Sequence, residues 1–480
     1  MVKIGKSYKT LIESSISHAF AIFNSHWMCF EEFDNFPTIG LSCYKEINNM
    51  PYISEEHYMT TANNGTVFHT HTLSNGLQIV GQPMPDFESV AVSFYVRTGS
   101  RDEPDPSIAG VSHFLEHMVF KGTKTLDWQQ VTLEFNKIGA ELNAFTSHEA
   151  TVYYARVLGE YLDRAAALLS DMMYPRLAES DFETEKEVIV NEIARSEDQP
   201  YNSTYRRMMQ TYFGNHPLGH DVLGSPESIR NMRVEQMRNY WQRRYAANNM
   251  ILSVAGHFDW EHIISLAEQL CNSWRTGDAT RHVEPYEPAR ALNDIVVDKK
   301  LKQQIMILAM PAVDLKDPDY YAAVLGGSIL GDSDGSRLYW NIYQKGLAES
   351  ASASIWAMEG TGILLLQANS TPEEAPRVLK MLRAELDSFL NDGVYEDEVQ
   401  RAKDKWISSI VLSSESTFSR MFSLASDWVT EGRLVSVDEE IERVEKVTSE
   451  DIMRALKRFP VREKQVLAAL GPLSEAELLA

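Results

Sequence analysis

The chain has 480 residues, of which 44% are hydrophobic, and a formal net charge of −23 at pH 7. This length predicts roughly two to four domains, and the apolar content is sufficient for sizeable cores. The acidic balance argues against nucleic acid and against an anionic membrane surface as partners. No apolar run approaches the ~20 residues that a membrane-spanning helix needs.

The three cysteines indicate the cellular compartment. Cys29, Cys43 and Cys271 are far apart and have no metal-type spacing. They predict neither a disulfide framework nor a cysteine-based metal site. A chain of this size without disulfides is typical of a reducing compartment, so we expect a cytoplasmic location.

The first 62 residues differ from the rest of the chain. Residues 19–23 form a short apolar stretch, but it is too short and too closely flanked by polar residues for a secretory signal. The segment contains no arginine, which a mitochondrial transit peptide would be rich in. We expect residues 1–62 to be an N-terminal extension that is either disordered or not part of the working protein.

The next segment contains the motif His113-x-x-Glu116-His117. On a helix, residues four apart lie one turn above each other, so both imidazoles project from the same face. Two imidazoles at this spacing can bind one zinc ion at about 2.0–2.1 Å per bond. Glu116 lies one position off, where it can take a proton from a metal-bound water. The order of the residues is that of the inverzincin motif.

A solvated helix with two surface histidines would show the same pattern. The neighbouring residues argue against that interpretation, because Phe114, Leu115 and Met118 are apolar and predict a buried helix. Two histidines and a glutamate are costly in such a place unless they have a partner. A zinc ion is the partner that the motif favours.

Catalytic zinc usually has a third protein ligand. Residues 181–195 predict a helix with an acidic first turn. Glu185 and Glu192 are seven residues apart and share one face of it, whereas Glu187 does not. One of the pair could ligate zinc and the other could orient a histidine. From the residues alone, a solvated acidic face fits the pattern equally well.

Together these motifs resemble the M16 family of zinc metallopeptidases, which includes pitrilysin, insulysin and the mitochondrial processing peptidase. The family pattern is His-x-x-Glu-His followed by a distant glutamate, and here residues 118–191, a gap of 74, separate His117 from Glu192. The similarity extends over residues 66–475. It includes three further stretches, which are Leu73–Leu77, Gly139–Thr146 and His216–Gly219.

The resemblance implies roles for individual residues. His113, His117 and Glu192 match the family's zinc ligands, Glu116 matches its general base, and Glu185 matches the carboxylate behind the ligands.

The resemblance also implies a place for the substrate. Asn143 and Ala144 would contact a peptide that adds to an edge strand. An asparagine in a turn is an equally good explanation for Asn143. His148 lies nearby in the sequence and receives no role.

The rest of the chain predicts an internal duplication. In each half a predicted helix precedes a predicted buried strand. In the first half the helix spans 234–241 and the strand 250–256, and in the second half the helix spans 449–456 and the strand 466–471. We expect two homologous α+β domains of about 200 residues, each a mainly antiparallel sheet with helices on one face. The zinc-binding domain would span 63–275, a proline-containing linker 276–293, and a second M16-like domain 294–480.

The second half lacks a metal motif. Its glycine-rich stretch, residues 325–335, has no lysine of a phosphate-binding loop and is better explained by a helix end and a turn. Active members of the family usually carry an Arg/Tyr pair in this domain. Here Glu349 stands at the expected tyrosine position and Ile342 or Tyr343 at the expected arginine position, while Arg337 is out of register.

The departure from the Arg/Tyr pattern bears on function. Some bacterial M16 peptidases, the M16B type, place zinc on one subunit and the Arg/Tyr pair on another. The resemblance therefore implies the zinc subunit of a two-chain endopeptidase, or a homodimer, that closes as a clamshell around a peptide. Two alternatives are a catalytically silent M16-like scaffold and a small zinc lyase. The intact motif argues against the scaffold, and the second large domain argues against the lyase.

Overall fold

The computed structural model describes residues 60–61, 67–103, 105–332 and 334–480. The extension predicted for residues 1–62 lies outside this range except for Thr60 and Thr61. These two residues form a short strand, β1, that pairs with Val67 and Phe68. The first sheet therefore reaches into the segment that we expected to be separate from the core.

The first half contains a seven-stranded sheet with the order β1-β2-β3-β7-β4-β6-β5. All neighbouring strands run antiparallel except β3 and β7. The strands are β1 (Thr60–Thr61), β2 (Val67–Thr72), β3 (Gln78–Pro83), β4 (Ser89–Val96), β5 (Glu141–Thr146), β6 (Thr151–Leu158) and β7 (Met250–Gly256). The helices are α1 (Val111–Phe120), α2 (Trp128–Lys137), α3 (Leu162–Met172), α4 (Glu179–Glu197), α5 (Pro200–Phe213), α6 (Pro226–Asn231), α7 (Val234–Arg244) and α8 (Trp260–Cys271).

The second half contains a five-stranded sheet with the order β10-β11-β9-β12-β8, in which only β12 and β8 are parallel. The strands are β8 (Leu292–Val297), β9 (Gln304–Ala312), β10 (Ser350–Met358), β11 (Thr361–Ser370) and β12 (Val466–Gly471). The helices are α9 (Tyr320–Gly331), α10 (Ala375–Asp392), α11 (Glu396–Ser414), α12 (Thr417–Glu431), α13 (Val437–Lys446), α14 (Ser449–Lys457) and α15 (Glu475–Leu478). Between α8 and β8 the chain forms neither helix nor strand.

The two sheets share one topology. In each half the last strand inserts beside an early strand, to which it is parallel, and pairs antiparallel with the next one on its other side. The helix–strand pairs that the sequence predicted are α7 with β7 and α14 with β12. The predicted α+β fold with two related, mainly antiparallel domains is therefore confirmed.

The two halves also exchange one helix each. Each sheet packs one face against helices of its own half, as the sequence predicted. The opposite face of the first sheet is covered by α12, through Met421 and Phe422. The opposite face of the second sheet is covered by α5, through Met208 and Tyr212. Both sheets are thus apolar on both faces, and each needs a helix from the other half.

The glycine-rich stretch of the second half has the structure expected for it. Residues 325–331 lie in α9, which ends at Gly331 and is followed by a turn. In the described parts of the chain, no helix has the length and apolar character needed to cross a bilayer. The cytoplasmic location inferred from the cysteines stays a prediction.

Candidate metal centre

Helix α1 carries the histidine motif, and the residues before it fix where the helix begins. Gly110 stands at its N-terminus with φ 87°, a left-handed conformation that favours glycine. The Glu103 carboxylate accepts hydrogen bonds from the backbone N–H groups of Gly110 (2.9 Å) and Ser112 (3.0 Å). Burial raises the pKa of Glu103 to about 8. A buried carboxyl group therefore caps the helix that presents the motif.

Helix α4 brings Glu192 to the two histidines. His113 Nε2 lies 3.7 Å from Glu192 Oε1, and His117 Nε2 lies 3.6 Å from Glu192 Oε2. These separations are too long for hydrogen bonds, whereas two donors on one tetrahedral zinc ion stand about 3.3 Å apart. The three donor atoms all lie within 4.8 Å of one another. Two imidazoles and one carboxylate at this spacing fit a zinc ion with an open fourth position.

The protonation state of His113 fits this assignment. Burial, with a contribution from the neighbouring His117, lowers the pKa of His113 well below its usual value. His113 is therefore neutral and can offer a nitrogen lone pair. Burial also opposes the charged form of His117, but the hydrogen bond that it donates to Glu185 and the nearby carboxylates outweigh burial and raise the pKa of His117. Burial raises the pKa of Glu192.

Glu185 lies behind His117 and does not join the donor cluster. The Nδ1 of His117 donates to Glu185 Oε1 at 2.9 Å, which leaves Nε2 free to face Glu192. Lys121 Nζ lies 2.6 Å from the other carboxylate oxygen of Glu185. A carboxylate in this position fixes the ring and its tautomer, as is usual for histidine ligands of zinc.

Replacing Lys121 by methionine is expected to lower zinc affinity by about tenfold, because Glu185 would lose the cation that holds it against His117. Affinity is measured by competition with a chromophoric chelator. The matched control is Lys137→Met, since Lys137 also pairs with a glutamate but lies on the exposed surface of α2. An unchanged zinc affinity in Lys121→Met would show that Lys121 does not support the ligand.

Glu116 lies on the same helix as the histidines and has a separate partner. The hydroxyl of Thr146, the last residue of β5, donates to Glu116 Oε2 at 2.6 Å. Burial raises the pKa of Glu116 to about 7, although this hydrogen bond acts in the opposite direction. A carboxyl group with a pKa near neutrality can both accept and return a proton under physiological conditions.

The structure places Asn143 and Ala144 in a strand, so a turn does not explain Asn143. Both lie in β5, which forms the edge of the first sheet next to the motif helix. Ala144 is buried in the first core, and only its backbone could meet a ligand. The Asn143 Oδ1 accepts a hydrogen bond from the backbone of Ala144 at 2.8 Å. His148 is not part of the cluster and lies 2.8 Å from the Ser100 hydroxyl.

Arg337 of the second half forms hydrogen bonds within its own domain. Its guanidinium donates to both carboxylate oxygens of Glu398, at 2.8 and 2.7 Å, and to the Gly393 carbonyl at 2.7 Å. These contacts occupy the guanidinium of Arg337 within its own domain. Tyr343 lies on an exposed π-helical turn, residues Tyr339–Tyr343.

The sequence did not single out Glu103, Lys121 or Thr146. Thr146 ends a stretch that the family resemblance covered. The sequence therefore indicated that Thr146 belongs to the pattern of the family, but not that it donates a hydrogen bond to Glu116. Glu103 and Lys121 carry no signal in the sequence, since isolated charged residues are usually solvated.

Both halves of the chain match models of one protein family. Residues 79–226 match the model described as Insulinase (Peptidase family M16). Residues 231–405 match the model described as Peptidase M16 inactive domain. The second match agrees with the lack of a metal motif in that half.

Curated relatives cover most of the chain. It is 31% identical over 398 residues to an "Uncharacterized zinc protease" of Rickettsia felis, which covers 82% of this chain and 95% of the relative. It is 30% identical over 404 residues to "Uncharacterized zinc protease YmxG" of Bacillus subtilis, which covers 84% of this chain and 98% of the relative. The zinc cofactor predicted from the motif agrees with these names.

Solved structures share the fold. A protease from Helicobacter pylori superposes with a TM-score of 0.78 at 22% identity and covers 84% of this chain and 99% of its own. A peptidase M16 inactive domain from Pseudomonas fluorescens superposes with a TM-score of 0.79 at 20% identity. This match covers 85% of the present chain and 98% of the Pseudomonas chain. From the matched models and relatives, we conclude that the chain belongs to peptidase family M16.

Proposed function

We propose that the protein is a zinc-dependent endopeptidase. The observation that carries this proposal is the position of Glu116, which is held by Thr146 on the helix that presents two of the three clustered metal donors. A scaffold would need neither a clustered donor set nor a buried carboxyl group beside it. The names of the relatives as zinc proteases support the same activity.

The chain's own residues divide the chemistry between them. His113, His117 and Glu192 would hold the zinc ion, which supplies Lewis-acid chemistry toward a carbonyl and a water molecule. Glu116 takes a proton from the attacking water and transfers it to the nitrogen of the leaving amine. Thr146 donates to one oxygen of Glu116 and so directs the other oxygen for proton transfer.

The substrate we propose is a peptide or an unfolded segment in extended conformation. It would add to the free edge of β5, so that its backbone pairs with the strand that contains Asn143 and ends at Thr146. This edge lies next to the motif helix, and a peptide bound there would run past Glu116. Binding through the backbone would favour unfolded segments of varied sequence, because main-chain hydrogen bonds do not depend on side chains.

We further propose that this chain is the zinc-bearing subunit of a two-chain enzyme. The support comes from the second half, where Glu349 occupies the expected tyrosine position and Arg337 is paired with Glu398. A second M16-like subunit with an Arg/Tyr pair would supply the missing contacts when the two close as a clamshell. The alternative partner is a second copy of this chain.

The activity is tested by zinc analysis and a quenched-fluorescence peptide assay on the full chain, alone and with a co-expressed M16-like subunit. We expect one zinc ion per chain and hydrolysis that a chelator abolishes and added zinc restores. The rate should rise strongly when the second subunit is present. Full activity of the chain alone would contradict the two-chain proposal only, whereas no hydrolysis in either form would contradict the peptidase.

A further inference from the structure

The turn that follows β5 touches the other half of the chain. Strand β5 ends at Thr146, the residue that holds the proposed general base, and residues 147–150 then connect it to β6. In the second half, residues 359–360 connect β10 to β11. The two turns meet, because the backbone N–H of Glu359 donates to the Glu149 carboxylate at 3.2 Å.

Glu149 lies at the centre of this contact. Its carboxylate forms an ion pair with Arg101, and the Arg101 guanidinium donates in turn to the Glu359 carbonyl at 3.0 Å. Arg281 comes from the segment between α8 and β8, and its Nη2 donates to the Glu149 carbonyl at 2.5 Å. The side chains of Arg101, Glu149 and Arg281 are only 2%, 16% and 9% exposed. A largely buried residue of the first half therefore binds groups from the second half and from the segment that joins them.

The second half also contributes a carboxylate. Glu359 Oε1 lies 2.8 Å from Lys316 Nζ, and its Oε2 lies 3.6 Å from Arg281 Nη1. Arg281 is in turn fixed to Asp102 of the first half by two hydrogen bonds, at 2.9 and 2.6 Å. Breaking one buried pair would leave its partner without a counter-charge, so these contacts resist separation of the two turns. We call the six charged side chains the junction cluster: Arg101, Asp102, Glu149, Arg281, Lys316 and Glu359.

Hydrogen bonds inside the first turn connect Glu149 to Thr146. The Ser147 N–H donates to the Ala150 carbonyl at 2.8 Å, and the Glu149 N–H donates to the Ser147 hydroxyl at 3.1 Å. The Ser100 N–H donates to the Ser147 carbonyl at 3.1 Å. A turn with these bonds moves as a unit, so a displacement of Glu149 would also displace Thr146, three residues earlier.

We propose that Glu149 is a positioning residue for peptide hydrolysis, and that the second half acts on the reaction through its contacts with Glu149. This inference rests on the peptidase function proposed above. The junction cluster keeps the end of β5 where Thr146 meets Glu116. Reacting groups depend on the residues that support them, and a shift of about 1 Å can lower a rate by about 10²-fold. The half without a metal motif thus contributes to catalysis without contacting the reacting atoms.

The test is a kinetic double-mutant cycle with the quenched-peptide assay, on the full chain in the form that hydrolyses the peptide, alone or with the second subunit. Glu149→Ala is expected to lower kcat by about tenfold or more. Zinc content and KM should stay close to the wild-type values, because the first residues of β5 are held by β6 and not by the turn. Thr146→Val should also lower kcat, since it removes the hydroxyl. In the Thr146→Val background, Glu149→Ala should have no further effect on kcat, because both changes act on one contact.

Asp294→Ala is the matched control. Asp294 lies in β8, and its carboxylate accepts hydrogen bonds from Arg207 and Thr211 of α5. Its side chain is 21% exposed, so it too is a partly buried carboxylate that binds an arginine of the other half. These three residues do not belong to the junction cluster. The kcat of Asp294→Ala should therefore equal that of the wild type, even if its thermal unfolding temperature falls.

Wild-type kcat in Glu149→Ala, or additive losses in the double variant, would overturn the proposal and leave the peptidase function intact. An equal loss of kcat in Asp294→Ala would also overturn it, because any weakened contact between the halves would then have the same effect. No hydrolysis by the wild type in either form would contradict the peptidase and this proposal with it. If circular dichroism shows that Glu149→Ala misfolds, Glu359→Ala decides the outcome in the same cycle, since it removes a carboxylate of the cluster but keeps the backbone contacts.

Discussion

Replacing Glu116 by glutamine is expected to lower the rate of peptide hydrolysis by about 10²–10⁴-fold, the usual contribution of general acid–base catalysis. Glutamine has the same shape and can still contact Thr146, but it cannot accept the proton of the attacking water. Glu116 does not belong to the three-donor cluster, so the zinc content should stay at the wild-type value. The measurement is a quenched-peptide assay combined with metal analysis of the same preparation.

The matched control for this prediction is Glu187→Gln. Glu187 lies on the exposed face of α4, away from the donors, and its replacement should change neither rate nor zinc content. Glu192→Gln provides the contrast, since it should lower both. Wild-type hydrolysis by the Glu116→Gln variant would refute the role of Glu116 and would leave the metal centre without a general base.

The second large effect concerns folding. Separate expression of residues 1–288 and 289–480 is expected to give two fragments that do not fold on their own. The first fragment would lack α12 and expose the sheet surface around Val80 and Ile251, and the second would lack α5. Exposed apolar surfaces of this kind lead to aggregation. Size-exclusion chromatography and thermal unfolding of each fragment measure the result.

Co-expression of the two fragments is the control. The cut lies in the segment between α8 and β8, which forms neither helix nor strand, so the paired fragments can restore both exchanged helices. They should purify together and unfold in one cooperative transition. Cooperative unfolding of either fragment alone would show that the exchanged helix is dispensable for that half.

The histidine motif of the metal centre could be predicted from the sequence because its residues are close together in the chain. His113, Glu116 and His117 lie on one helix, where the spacing alone fixes which side chains share a face. Glu192 is different, since 74 residues (118–191) separate it from His117 and it was selected from two candidates by family resemblance. Helix geometry placed Glu185 and Glu192 on one face but could not say which would meet a histidine. The structure separates them, with Glu192 among the donors and Glu185 behind His117.

Other contacts could not be predicted because they depend on the packing of distant segments. Thr146 reaches Glu116 only because β5 forms the sheet edge beside α1. The amphipathic pattern of α12 predicts a buried face but does not identify the surface that covers it.

The sequence by itself determined the two related α+β halves and the histidine motif of the zinc centre, because periodicity and short-range spacing encode local geometry. The resemblance of its motifs to M16 peptidases supplied the family and the choice of Glu192. The tertiary structure alone decided which hydroxyl holds Glu116 and which half covers each sheet. The physical reason is that helix and strand patterns specify that a face is buried, whereas the partner of that face is selected by the packing of the whole chain.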